Sequence, residues 1–291
     1  MSDVLTRKPN DDEIPALRGI WENVFGTIGE DSFFLHYYTS DLCVVAEYNN
    51  APAAVGYLIP FGDILCRSKE YPCAMIYSVA TLPEYRGMGL GTAVVRNLIN
   101  LARELAFPAV ILCPNNDKLF EYYSSRTGLY DWFYVNEQVI NEVPADTAFT
   151  ALTEISVNEY HTRRERLLEG TVHIRHDLRA LEYQAMLCNE LGGGFFKIGD
   201  TIAVVECQQN GEVWIKEILS PDNRNTGSDP YLHIADAVAA ISSSFPARLY
   251  VARFPSQIGT GRRFGMVTFP DNSQFDPCLT GSAPWFGMAF D

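Results

Sequence analysis

The segment Arg86-Gly87-Met88-Gly89-Leu90-Gly91-Thr92 has the residue types of an anion-binding turn. Its glycines strip side chains from a row of backbone N–H groups. A helix beginning at such a turn adds partial positive charge. A phosphate-bearing ligand is therefore expected at Arg86–Thr92. The R-x-x-G-x-G spacing does not suit a dinucleotide, which needs G-x-G-x-x-G directly after a strand, and the Lys-Ser/Thr of a nucleoside-triphosphate loop is missing. Downstream lies Leu112-Cys113-Pro114-Asn115-Asn116, with the pair Tyr122-Tyr123 shortly after.

These residues need elements to hold them. The apolar run Ala74–Ala80 reads as a strand entering the turn. Leu90, Val94, Leu98, Leu101 and Leu105 recur at three- and four-residue spacing, which predicts an amphipathic helix over about 89–105. Phe107-Pro108 ends it. Ala109–Cys113 is a short buried strand, Asn116–Ser125 a short helix, and Tyr130–Val143 a closing strand or hairpin arm. Before the turn, Leu42–Tyr48 and Ala53–Phe61 flank Asn49-Asn50 as a hairpin. The stretch Asn10–Ser40 reads as helical and aromatic, with Trp21, Phe25, Phe33, Phe34, Tyr37 and Tyr38, broken at Gly26 and Gly29.

Pro144-Ala145-Asp146-Thr147 reads as a linker, giving domains over 1–145 and 150–291. The second half opens with a strand, Leu152–Ile155, and a helix with Ser156 and Glu159 in capping-box spacing. A helix over Leu178–Glu190, a hairpin Phe195–Ile198 with Thr201–Cys207, a strand Glu212–Leu219 and a helix Pro230–Ser244 follow. Shifting the first half by 138 residues puts Pro83 on Pro221, Arg86 on Arg224, Gly89 on Gly227 and Phe107-Pro108-Ala109 on Phe245-Pro246-Ala247. An internal duplication is expected. In the second copy Gly91 becomes Asp229, which would repel a phosphate, and Asn115-Asn116 fall near Arg253-Phe254-Pro255.

Composition bounds the class. The chain has 291 residues, 47% of them hydrophobic, and a formal charge of −14. Broad polyanion binding, and so a nucleic-acid partner, is not expected. No apolar run is long enough to span a membrane and no signal-peptide core opens the chain, so a cytoplasmic protein is expected. Seven cysteines without C-x-x-C imply reduced, mostly buried thiols and no zinc site. His173-Ile174-Arg175-His176-Asp177 carries metal-type residues, but no distant ligand has matching spacing, and no metal is expected.

Val79–Thr92, with its R-x-x-G-x-G core, and Asn116-Asp117-Lys118-Leu119-Phe120-Glu121-Tyr122-Tyr123 running to Gly128-Leu129 resemble the GNAT superfamily of N-acetyltransferases. The resemblance implies an α/β fold of two tandem acyl-coenzyme A N-acyltransferase-like domains. Each would be a mixed, mostly antiparallel sheet flanked by helices, with the second degenerate. It implies acetyl-coenzyme A as co-substrate and a small-molecule or peptide amine as acceptor. Backbone around Val79, Ala80 and Thr81 would hold the pantetheine and polarise the acetyl carbonyl. Arg86, Gly87, Met88, Gly89, Leu90, Gly91 and Thr92 would hold the pyrophosphate, with Asn115 and Asn116 beside the coenzyme. Tyr123 would protonate the leaving thiolate; Tyr122 is the alternative, and either could be a core aromatic alone.

Tyr77 and Ser78 lie where a base is sought, and neither is a carboxylate. Glu22, Glu30 and Asp31 lie in the aromatic N-terminal segment, which could wall the acceptor with a carboxylate holding a cationic amine, or each could simply sit on a solvated helix face. The degenerate second half also resembles the enhanced intracellular survival family, in which the chain's terminal carboxylate reaches the active site. The ending Pro284–Asp291 reads as an apolar strand, so Asp291 is a candidate base or simply the exposed end of a closing strand. A non-catalytic acyl-coenzyme A sensor is the alternative function.

Overall fold

A computed structural model describes residues 4–66, 69–141, 143, 151–221, 232–256, 260–270 and 283–291. In chain order, β1 (Thr6–Arg7), α1 (Ile14–Phe25), α2 (Glu30–His36), β2 (Cys43–Tyr48), β3 (Ala51–Cys66), β4 (Lys69–Thr81), α3 (Leu90–Glu104), β5 (Ala109–Leu112) and α4 (Asp117–Thr127) come first. Then follow β6 (Tyr130–Ile140), β7 (Leu152–Glu154), α5 (Val157–Leu167), β8 (His173–His176), α6 (Leu178–Glu190), β9 (Gly194–Ile198), β10 (Thr201–Cys207), β11 (Val213–Leu219), α7 (Leu232–Ser244), β12 (Tyr250–Pro255) and β13 (Arg262–Thr268).

The chain folds as two compact units that interleave in sequence. The first holds residues 1–64, 69–132 and 264–277; the second holds 65–68, 133–263 and 278–291. In the first, strands lie in the order β1-β2-β3-β4-β5-β13. Asn49 and Asn50 turn the β2–β3 hairpin with φ of +51° and +62°, the left-handed pair such a tight turn needs. One sheet face carries Val44, Ala54, Leu58, Ala74 and Ile76 and is covered by α3 and α4 through Leu90, Val94, Leu98 and Phe120. In the second unit the order is β6-β12-β11-β10-β9-β7, and Ile234, Ala237, Val238 and Ile241 of α7 cover Ala203, Val205, Ile215 and Ala252.

The units repeat one plan. In each, an antiparallel hairpin leads to a third strand, a helix, and a parallel return: β2-β3-β4-α3-β5 and β9-β10-β11-α7-β12. The strands that close the sheets are exchanged. Arg262–Thr268, late in the chain, pairs antiparallel with β5 through Met266 opposite Leu112. Tyr130–Ile140, expected to close the first half, pairs antiparallel with β12 through Val139 opposite Val251. The expected linker at 144–147 lies outside the described residues, as does the glycine-turn echo after Pro221.

Other expectations change. His173–His176 is a strand; Asp177 caps α6 by accepting from Ala180 N at 2.7 Å, and His173 faces Thr171 O at 2.8 Å and Glu165 at 3.1 Å. Pro284–Asp291 forms no strand beyond one bridge from Trp285 to His173, because Gly287 and Phe290 take φ of +81° and +60°. Cys66 is disulfide-bonded, while Cys43, Cys188 and Cys207 are free thiols. Among the described residues no helix is long and apolar enough to cross a membrane.

Candidate functional site

The glycine-rich turn follows β4 directly. Pro83–Tyr85 make one helical turn, and Arg86 Nε donates to Thr81 O at 3.2 Å, drawing the loop closed. Gly87 and Gly89 take φ of +83° and +85°, where a Cβ would be strained. Gly89 immediately precedes α3, and no side chain caps that end. The first N–H groups of a helix lack intrahelical acceptors, so an uncapped end beside exposed Arg86, Gly87 and Met88 is arranged to receive an anion. Leu90 anchors the turn from below, 4% exposed.

Thr92 plays a different part from the one its position in the loop suggests. Its side chain is buried, and its Oγ1 lies 2.6 Å from the Tyr122 hydroxyl, tying α3 to α4. Arg126 lies over the Tyr122 ring at 5.1 Å. The Tyr122 hydroxyl is thereby engaged by Thr92. Tyr123 packs in the core with Phe120 and Leu129, and its ring meets Tyr122 edge-on at 5.2 Å. Burial raises its pKa above the ordinary value of 10.0, with Tyr122 adding to the shift, so it keeps its proton. Asn116 caps α4, accepting from Leu119 N at 3.2 Å, and Asn115 is exposed.

Ser78 breaks β4. It is a non-glycine residue at φ +46° inside a strand. Ile76 faces the α3 side, and Tyr77 faces the opposite side, against Trp21 and Phe33 at 5.9 and 5.5 Å. Regular alternation would put Val79 with Tyr77. Val79 instead packs on the α3 side, so one residue is inserted at Ser78, as in a bulge. Left-handed backbone at such a residue is strained and concentrates at functional sites. Nothing in the residue types of Tyr77-Ser78-Val79 signals it.

On the face opposite α3, Trp21, Phe33, Phe34, Tyr38, Tyr57 and Tyr77 form one aromatic cluster. Phe33 stacks on Trp21 at 5.0 Å and meets Tyr57 at 4.6 Å. Phe34 meets Tyr38 at 5.1 Å. Glu30 and Asp31, candidates for holding a cationic amine, are both taken by Arg18, at 2.8 and 2.7 Å. Glu22 is exposed.

Asp291 lies in the second unit. Its carboxylate pairs with Arg253 at 2.5 Å and Lys216 at 3.7 Å, and Lys216 also binds its main-chain oxygen. Burial opposes ionisation there, but Arg253 and Lys216 outweigh it and hold the carboxyl well below its ordinary range. Where the first unit breaks into Asn115-Asn116 and α4, the second runs β12 on through Arg253 to Pro255, and Arg253 also pairs with Glu137 at 2.9 Å. Among the described residues no group of His, Cys, Asp and Glu side chains could hold a metal ion.

Residues 13–128 match the profile of the acetyltransferase (GNAT) family. The chain thus carries a GNAT domain in its first unit, and the enzyme class that this domain defines is an acyltransferase. Solved structures extend the likeness in fold to most of the chain. A GCN5-related N-acetyltransferase from Anabaena variabilis is 15% identical with a TM-score of 0.67, over 92% of this chain and 73% of that one. One from Kribbella flavida is 12% identical with a TM-score of 0.60, over 91% and 70%. Eis1 from Mycobacterium abscessus is 10% identical with a TM-score of 0.59, over 92% and 74%. A search of curated protein sequences found no match.

Proposed function

We propose that the first unit binds acetyl-coenzyme A and transfers its acetyl group directly to a primary amine of a small molecule or peptide. The uncapped N-terminus of α3 at the Gly87–Gly89 turn carries this reading. The pyrophosphate is assigned to Arg86–Thr92, chiefly to backbone, since Thr92 Oγ1 is engaged by Tyr122. The pantetheine and acetyl carbonyl are assigned to Val79, Ala80 and Thr81, just past the kink at Ser78. Asn115 and Asn116 border the coenzyme. Holding both substrates together supplies much of the rate as proximity, and oriented N–H donors would stabilise the developing oxyanion. Tyr123, held protonated by burial, gives its proton to the departing thiolate. Asp291, the candidate base, belongs to the second unit, where its carboxylate is ionised and held by Arg253 and Lys216.

The second unit is a copy that does not bind coenzyme A, supported by the continuation of β12 through the position of the α4 cap. One observation favours a second reading, a non-catalytic acyl-coenzyme A sensor: Tyr123 is only 7% exposed, as a packing residue would be. Thiol release over a panel of primary amines separates the two. Release that depends on an amine supports transfer. Coenzyme binding without release on any amine supports the sensor.

A further inference from the structure

We infer that the aromatic cluster of the first unit binds the body of the amine acceptor. It would favour an uncharged, apolar or aromatic body carrying a hydrogen-bond-accepting oxygen over a polycation. This rests on the reading of that unit as an N-acetyltransferase.

Three polar atoms in this cluster are buried without a hydrogen-bond partner: Trp21 Nε1, Tyr38 Oη and Tyr57 Oη. Trp21 and Tyr57 are 3% and 2% exposed. Burying such a group unpaired is costly, and most are paired in native proteins. Three in one cluster of touching rings point to a ligand that supplies the partners. Their chemistry narrows that ligand. An indole N–H only donates, so its partner must be an acceptor such as an oxygen, which a fully protonated polyamine lacks.

Charge narrows it again. The carboxylates whose fields reach Tyr38 and Tyr57 are Asp11, Glu13 and Glu30. Glu13 is held by Arg7 at 2.7 Å, Glu30 by Arg18 at 2.8 Å, and Asp11 is exposed. The face of Phe34 already carries the Arg18 guanidinium at 4.5 Å. A polycation would find no uncompensated buried carboxylate among these. Position completes the argument. The cluster reaches β4 at Tyr77, one strained residue from Val79, where the acyl group is assigned.

Thiol release from acetyl-coenzyme A by the full chain tests this with phenylalaninamide, phenethylamine, spermidine and an aminoglycoside as acceptors. The expected kcat/KM is at least about tenfold higher for phenylalaninamide than for spermidine, one hydrogen bond's worth of preference. Trp21→Phe should erase the preference for phenylalaninamide over phenethylamine. Tyr57→Phe should raise the acceptor KM while leaving the unfolding temperature unchanged or higher, since it removes an unpaired hydroxyl. A preference for either polycation, an unchanged ratio in Trp21→Phe, or a lower unfolding temperature in Tyr57→Phe would overturn the inference and leave the transferase reading standing. Failure of all four acceptors would overturn both.

Discussion

Tyr122 and Tyr123 show how adjacent residues of one type divide their work. The Tyr122 hydroxyl is spent on Thr92, joining α3 to α4, while Tyr123 packs in the core. Tyr122→Phe should weaken acetyl-coenzyme A binding by about threefold to tenfold, the worth of one hydrogen bond, with kcat little changed; titration calorimetry beside steady-state kinetics checks it. Tyr123→Phe should instead lower kcat by about 100-fold or more with coenzyme affinity kept. An equal loss of both would mark Tyr123 as packing. Burial sets the pH response. A pKa raised above 10.0 means that Tyr123 stays protonated through neutral and mildly basic pH, so loss of its proton cannot cause a fall in kcat below about pH 10. A pH profile of kcat with a basic limb at lower pH would have to come from another group. Its persistence in Tyr123→Phe would show this directly.

At the scale of elements, local patterns were legible where local physics decides. The apolar stripe and glycine turn placed α3 within a residue of where it lies, and Asn49-Asn50 marked the hairpin. The kink at Ser78 was not legible, because it answers to packing on two opposite sheet faces. Nor was the pairing of Arg18 with Glu30 and Asp31, which brings two helices together. The ending Pro284–Asp291 read as a strand from its apolar residues, yet it is a buried irregular segment held by charge. Glu217, fully buried, accepts from Trp285 Nε1 at 2.6 Å and from Arg164 Nε at 2.8 Å, and also from Tyr160. A Cβ at Gly287 would come within 2.5 Å of Arg164 and 2.6 Å of Glu217, on backbone already at φ +81°. Gly287→Ala should therefore destabilise the second unit by about 2–4 kcal/mol, read as a lower midpoint in denaturant unfolding. Unchanged stability would mean that the segment is loosely held.

For the whole molecule, the exchange of closing strands is the feature with the widest consequences. Chain order alone assigns each half its own closing strand. The register shows Leu112 beside Met266 and Tyr250 beside Ile140. A fragment of residues 1–145 would leave β5 with an open apolar edge, and it should aggregate or fail to fold on expression; a soluble, cooperatively unfolding fragment would contradict this. The function must then be tested on the full chain. Titration with acetyl-coenzyme A, followed by calorimetry, measures the central claim most directly. One molecule should bind per chain, and Gly91→Asp, which puts a carboxylate at the phosphate turn, should abolish binding while the fold is kept. Binding of two molecules per chain, or binding undisturbed by Gly91→Asp, would contradict the assignment of the coenzyme to the first unit.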